Sequence, residues 1–180
     1  MNLYARLNQG ELLGSRVIKV NHAGEHGAIN IYAGQIFIAK ILARDFVEDL
    51  KEFQAHEIRH RAIFEKVLQS RNVRRCRSYH FCGLGGFALS LITALFGRQA
   101  IAATTVAVES VVLGHLQEQI RVLELQDIQA STAIKQIIQD EQEHHDRSAS
   151  YVEAGHFWPK LITPIVSVST NWVIWLGMHL

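Results

Sequence analysis

The sequence predicts an all-α chain of long helices, with two unusually apolar stretches. Three observations lead there. Apolar residues recur at helical spacing over long stretches, alternating β-branched runs are almost absent, and the only prolines, Pro159 and Pro164, come late. The 180 residues are enough for one domain with a real core, taken as 1–180.

Helices are expected at about 12–42, 44–70, 82–96, 98–127, 130–155 and 158–178. The first puts Ile18, Ile29, Tyr32 and Ile36 on one stripe, yet Glu25 lies in that stripe and His22 one turn before it. The second aligns Phe46, Leu50, Phe53, Phe64 and Val67 with Glu57 and His60. "RNVRRCRSYHFCG" then separates two halves, and its Arg71, Arg74, Arg75 and Arg77 are expected to face water or lipid phosphate. Residues 81–97, "FCGLGGFALSLITALFG", carry no charge over seventeen positions, the lower edge of a bilayer span. An ordinary buried helix, or an apolar face resting in the membrane interface, is the expectation there. The fourth helix holds Glu109 with no other charge in the six residues before it. The fifth aligns Ile134, Ile137, Glu141, His144, Ser148 and Val152. The last, within 161–180, is uncharged apart from a proton His179 can take, and contains Pro164.

Composition narrows the function. Hydrophobic content of 48%, charged content of 19% and a net charge of +1 describe a folded, rather greasy protein with no acidic or basic excess for nucleic acid. Cys76 and Cys82 are too few for a disulfide scaffold or a four-thiolate zinc site, and they fit a reducing compartment. "MNLYARLNQGELLGSR" lacks the apolar core of a secretory signal and leaves little room for a transit peptide before Glu25. The protein is therefore expected to stay in the cell that makes it, or to be a mature form.

A carboxylate pointed into a core needs something to neutralise it. Four glutamates share that predicament, and their spacing is regular. Glu25 and Glu57 stand 32 residues apart, as do Glu109 and Glu141; shifting Glu25, Glu57 and His60 by 84 gives Glu109, Glu141 and His144. Each half is a helix with one Glu followed by a helix with Glu-x-x-His. Packed together, the two hairpins would surround one point with four carboxylates and two imidazoles, the ligand set of a di-iron or di-manganese site in a four-helix bundle. Two divalent cations balance four carboxylates, and the imidazoles leave positions open for oxygen.

Single motifs carry less. Glu153-Ala-Gly-His156 also has the Glu-x-x-His form, but Gly155 marks a helix end. Asp140, four residues before His144, is a candidate to hold that imidazole's second nitrogen, and His56 occupies the same place in the first half. His115 lies off the ligand face by about a third of a turn, while His145 and Asp146 belong at the rim.

"VNHAGEHGAINIYAGQ", "FEKVL", "GFALSLITALFGRQAIAATTVAVES" and "DEQEHHD" resemble the demethoxyubiquinone hydroxylase family from about Val17 onward. The resemblance implies a ferritin-like bundle on an inner-membrane surface, cytoplasmic in a bacterium or matrix-facing in a mitochondrion. It implies two iron ions, Fe2+/Fe3+, held by Glu25, Glu57, His60, Glu109, Glu141 and His144, with His115 matching a catalytic histidine near the site. Its implied partners are O2, a membrane-embedded polyprenyl quinone, membrane lipid and an electron donor such as NADH or a reductase. A homo-oligomer is compatible with the sequence but not specified by it. Three positions depart from the family pattern: Leu116 and His26 stand where tyrosines are usual, and Asn21 where aspartate is. The rival readings are ferritin-like iron storage, which calls for carboxylate-rich ion routes, and a rubrerythrin-type peroxide scavenger, whose relay domain needs a Cys-x-x-Cys pair that this chain lacks.

Overall fold

The computed structural model describes residues 4–180; residues 1–3 of the predicted domain and N-terminal segment lie outside the described residues. Among the described residues there are seven α-helices and no strand. They are α1 (Leu13–Leu42), α2 (Val47–Ser70), α3 (Tyr79–Ala94), α4 (Arg98–Leu123), α5 (Ile128–Lys135), α6 (Ile138–Ser150) and α7 (Phe157–His179).

Helix ends follow local chemistry. Below the start of α1, Glu11 gathers Arg16 Nη2 at 2.6 Å and Lys19 Nζ at 2.7 Å, which pulls its carboxyl down to about 2 against the upward push of burial. α2 closes with Asn72 in the left-handed region (φ 51°), and Val73 N–H donates back to Leu68 while Asn72 N–H donates to Gln69. Asp127 caps α5 by accepting from Ala130 N–H at 3.0 Å and takes a fork from Arg71 at 2.6 and 2.8 Å. Arg71 is thus committed within the protein rather than free for water or lipid. That cap also ends α4 at Leu123, four residues earlier than the periodicity suggests.

The predicted 130–155 helix is two helices. Gln136 and Ile137 form a tightened turn, with Ile137 N–H bonding Ile134 O at 3.2 Å, so that Ile134 and Ile137 are both fully buried. No proline or glycine marks that break. Beyond α6 the chain reverses at Gly155 (φ 83°), and His156 becomes the N-cap of α7 rather than part of a site.

Four rods make the bundle: α1, α2, α4 and the pair α5–α6. Helices α1 and α4 run antiparallel, with Asn21 against Gln119 at 2.8 Å and Tyr32 against Glu109 at 2.8 Å. Apolar layers close both ends. Ile18, Phe64, Leu116, Leu123, Ile134 and Ile137 fill one; Tyr32, Phe46, Leu50, Phe53, Ile101 and Ala102 fill the other.

Two helices lie outside the four rods. α7 packs chiefly on α4, and α3 packs on α1 through small residues. Among the described helices α4 and α7 are long and apolar enough to cross a membrane, but α4 is largely core, whereas only 22% of the most apolar stretch of α7 is buried. α3 leaves Phe81, Leu84, Ile92 and Leu95 exposed, and α7 leaves Ile165, Val168, Trp172 and Trp175.

The α1–α3 contact is nearly backbone on backbone. A Cβ at Gly86 would collide with the Gly27 carbonyl oxygen, whereas one at Gly85 meets nothing within 4 Å. Gly86→Ala should therefore cost about 1–3 kcal/mol of stability. Gly85→Ala should be neutral or add up to about 1 kcal/mol through helix propensity. Paired thermal melts of the two variants check this; equal melting temperatures would mean the helices are not in close contact there.

Candidate metal centre

Each helix of the bundle brings its stranded polar residue to the same height. Glu25 comes from α1, Glu57 and His60 from α2, Glu109 from α4, and Glu141 and His144 from α6. All six are buried. They form two overlapping groups whose ligand atoms lie within 4.8 Å of one another: Glu25, Glu57, His60 and Glu141, and Glu57, Glu109, Glu141 and His144.

Glu57 and Glu141 belong to both groups, and their oxygens divide accordingly. Glu57 turns Oε2 toward His60 Nδ1 (3.8 Å) and Oε1 toward His144 Nδ1 (3.1 Å). Glu141 turns Oε1 toward His60 Nδ1 (2.9 Å) and Oε2 toward His144 Nδ1 (3.6 Å). Each central glutamate thus addresses both positions, as a bridging carboxylate does.

His60 Nδ1, His144 Nδ1, Glu57 Oε1 and Glu141 Oε1 are buried and make no hydrogen bond of acceptable geometry despite these short separations. They converge on shared points rather than on each other. Buried polar atoms without partners are costly, and a cation at each point would satisfy them. The donor set of carboxylate oxygens and imidazole nitrogens suits iron or manganese.

Without a cation the electrostatics are strained. Burial, then repulsion from Glu57 and Glu141, pushes the Glu25 and Glu109 carboxyls well above the usual range. Glu57 is held low, because Glu25, His144 and His60 beside it outweigh the upward push of burial. Burial alone would lower the imidazoles, but Glu141 and Glu57 carry both His60 and His144 up to about 10.

The outer nitrogens are held crosswise. Asp140 does not hold His144, as its spacing suggests; its Oδ2 lies 3.0 Å from His60 Nε2, on the opposite hairpin. His144 Nε2 instead lies 3.1 Å from His56 Nδ1. The residue before each Glu-x-x-His motif therefore serves the histidine of the other half. His56 and Asp140 share the 84-residue offset, the one sequence signal for this exchange, but spacing within one helix cannot reveal contact with another. Tyr32 was missed for a similar reason. It reads as one more large residue of the stripe, yet its hydroxyl donates to Glu109 Oε1 at 2.8 Å.

Other candidates lie apart. His22 stacks on Tyr79, 5.1 Å between ring centres, outside the ligand groups. His145 pairs with Asp146 at 2.8 Å near the surface. His115 sits on a cavity wall with Nε2 3.0 Å from Asn171 Oδ1 on α7. That cavity, about 610 Å³, reaches from Glu25 and Glu109 past Leu89 and Leu116 to the exposed side chains Phe81 and Trp172.

Residues 13–177 match the family model of ubiquinone biosynthesis protein COQ7. The chain is 34% identical over 167 residues to the NADPH-dependent 3-demethoxyubiquinone 3-hydroxylase, mitochondrial, of Dictyostelium discoideum, covering 90% of this chain and 75% of that one. It is 36% identical over 136 residues to the protein of the same name in Mus musculus, and 34% identical over 131 residues to the 3-demethoxyubiquinol 3-hydroxylase of Rhodospirillum rubrum. Each of those two matches covers 73% of this chain and 61% of the relative.

Glu25, Glu109, His60 and His144 all bind protons more tightly in the folded, metal-free chain than in the unfolded one. Stability from such groups is complete below the unfolded pKa and is lost as pH rises toward the folded one. The metal-free protein should therefore lose stability from about pH 4.5 upward, with the imidazoles contributing from about 6.5 to about 10. Glu57 works the other way, but only below its ordinary value of 4.5. Bound divalent metal should flatten or reverse the slope, because ligand deprotonation then favours the folded state. Thermal melts at about pH 5, 7 and 9, with and without metal, measure both slopes; a metal-free melting temperature that climbs with pH would contradict the assignment.

Proposed function

The chain belongs to the COQ7 family of ubiquinone biosynthesis proteins, and on that premise we propose that it hydroxylates the ring of a demethoxy-type polyprenyl quinone, using O2 at a di-iron centre. The observation that carries this reading is the cavity. It joins the buried carboxylates to the apolar outer side of α3 and α7, so a lipid-borne ring can reach the ligand cluster without crossing water.

Glu25, Glu57, His60, Glu109, Glu141 and His144 would hold the two irons, Glu57 and Glu141 being the residues common to both groups. Bound iron supplies the redox chemistry that lets O2 react with an unactivated ring position. The protein's own part is placement and exclusion. Leu89, Val108, Val112 and Leu116 give the cavity aliphatic walls that fit a ring and keep water from the reacting centre. His115 is the catalytic residue of this reading. Its ring stands on the same wall, oriented by Asn171, where it can hydrogen-bond a quinone oxygen and hold or release a proton. The relatives whose names carry "NADPH-dependent" support a nicotinamide electron donor.

The protein works at a membrane surface with α3 and α7 against the lipid. Phe81, Leu84, Ile92 and Leu95 on or beside α3 are each more than half exposed. Moving such side chains into an apolar phase is worth roughly 1.5–3 kcal/mol each when complete, ample for attachment after discounting for partial immersion.

Two outcomes are expected. In cells lacking their own demethoxyubiquinone hydroxylase, the chain should restore the hydroxylated quinone and Glu109→Ala should not. Mass spectrometry of extracted quinones reads this, and iron bound without any change in quinones would favour simple iron binding instead. Separately, Leu84→Asp with Leu95→Asp should move the protein from the membrane pellet to the supernatant while its metal content stays the same. Wild-type protein that stays in the supernatant with no lipid or detergent bound would refute the attachment.

A further inference from the structure

The six ligands repeat every 84 residues, but what surrounds them does not. Tyr32 stands seven residues after Glu25 and Leu116 seven after Glu109, so the two are equivalent positions of the two halves. Helices α1 and α4 run antiparallel with Tyr32 opposite Glu109. Seven residues back on α1 and seven forward on α4, that register sets Leu116 opposite Glu25. Glu109 thus receives a hydrogen bond from a fully buried hydroxyl at 2.8 Å, while Glu25 faces a leucine side chain that has nothing to donate.

From this we infer that the two metal positions are unequal, and that Tyr32 is the positioning residue that makes the Glu109–His144 position the tighter one. The inference rests on the dinuclear reading above. Tyr32 occupies one lone pair of Glu109 Oε1 and fixes the rotamer of that carboxylate before any metal arrives. Glu25 has no such hydroxyl beside it; its side-chain partner is Glu57, itself one of the metal-facing residues, so more of the ordering at its position is left to the metal.

The histidines add to the difference. His60 and His144 are both buried, and His144 is in addition packed by Phe53 at 4.6 Å and Tyr32 at 6.1 Å between ring centres. One contribution runs the other way, since Asp140 makes His60 a stronger donor. That carboxylate is 31% exposed and shared with Arg59 at 3.6 Å, so solvent and the guanidinium weaken its effect.

Cobalt(II) titration of metal-free protein, followed by visible absorption and checked by calorimetry, tests this without reference to turnover. Wild type should bind two ions in separable steps. Tyr32→Phe keeps the ring and removes only the hydroxyl; it should weaken the tighter step by about 10- to 100-fold and leave the weaker step nearly unchanged. Glu25→Ala should abolish the weaker step and spare the tighter one. Tyr32→Phe weakening neither step, or both equally, would overturn the inference while leaving the dinuclear reading intact. So would a Glu25→Ala protein that loses the tight step. Wild type binding no more than one ion would overturn the dinuclear reading and this inference together.

Discussion

Mutual repulsion among four carboxylates buried at one height of the bundle is the constraint on which the rest depends. Two like charges about 4 Å apart in a poorly solvated core repel by several kcal/mol even at a generous effective dielectric, and here there are four. The chain's internal answer is partial. Burial and mutual repulsion push the Glu25 and Glu109 carboxyls up, the neighbouring carboxylates raise His60 and His144, and Glu57 is held low. Buried groups that neutralise one another in this way seldom repay their desolvation. The surrounding apolar layers must supply the stability, and large closed clusters lie on both sides of the ligand layer.

The two hairpins meet that constraint by a repeat used twice, and its imperfections are informative. Each half sends the residue before its Glu-x-x-His across to the other half's imidazole, so neither hairpin completes its histidine alone. One turn beyond the site, Asn21 and Gln119 exchange two hydrogen bonds, at 2.8 and 3.2 Å. The equivalent positions in the other half are Thr105 and Gln35, fully buried with side-chain atoms that find no partner within the protein. The repeat thus preserves ligands strictly and their surroundings loosely.

How much of this could be read from the chain depends on whether a feature is local. The helix periods, the inward placement of the six Glu and His residues and the apolar character of 81–97 are visible because each is a pattern local to its own stretch of chain. Ile18, Tyr32, Phe53, Phe64 and Ile134, assigned to inner faces by period alone, are all buried. The turn at Gln136–Ile137 escaped because neither residue is a helix breaker and tertiary packing made the choice. The end of α4 escaped because Asp127 reads equally well as a late helical residue or as a cap, and Arg71, 56 residues away, helps decide. Asp140 reads only as a candidate for the nearer imidazole because sequence spacing speaks of one helix, whereas the contact crosses the bundle.

What α3 does follows from the same need to keep water from the ligands. A bare four-rod bundle would leave the outer side of α1 open at Gly27, beside the level of Glu25. Small residues at that face usually mark a partner helix at close range, and α3 provides it, with Gly86 against the Gly27 carbonyl and Gly83 against His26. The close approach roofs the ligand layer while α7 covers the α4 side, and the gap between them becomes the cavity. A roof built this way has two faces of opposite duty. Its inner face must be small to pack, so its large apolar side chains, Phe81, Leu84 and Ile92, are turned outward. Exposed apolar area of that extent is uncommon on a chain that lives in water. The packing that seals the site therefore also creates the surface that a membrane would cover, and it does so beside the mouth through which a lipid-borne ring would pass.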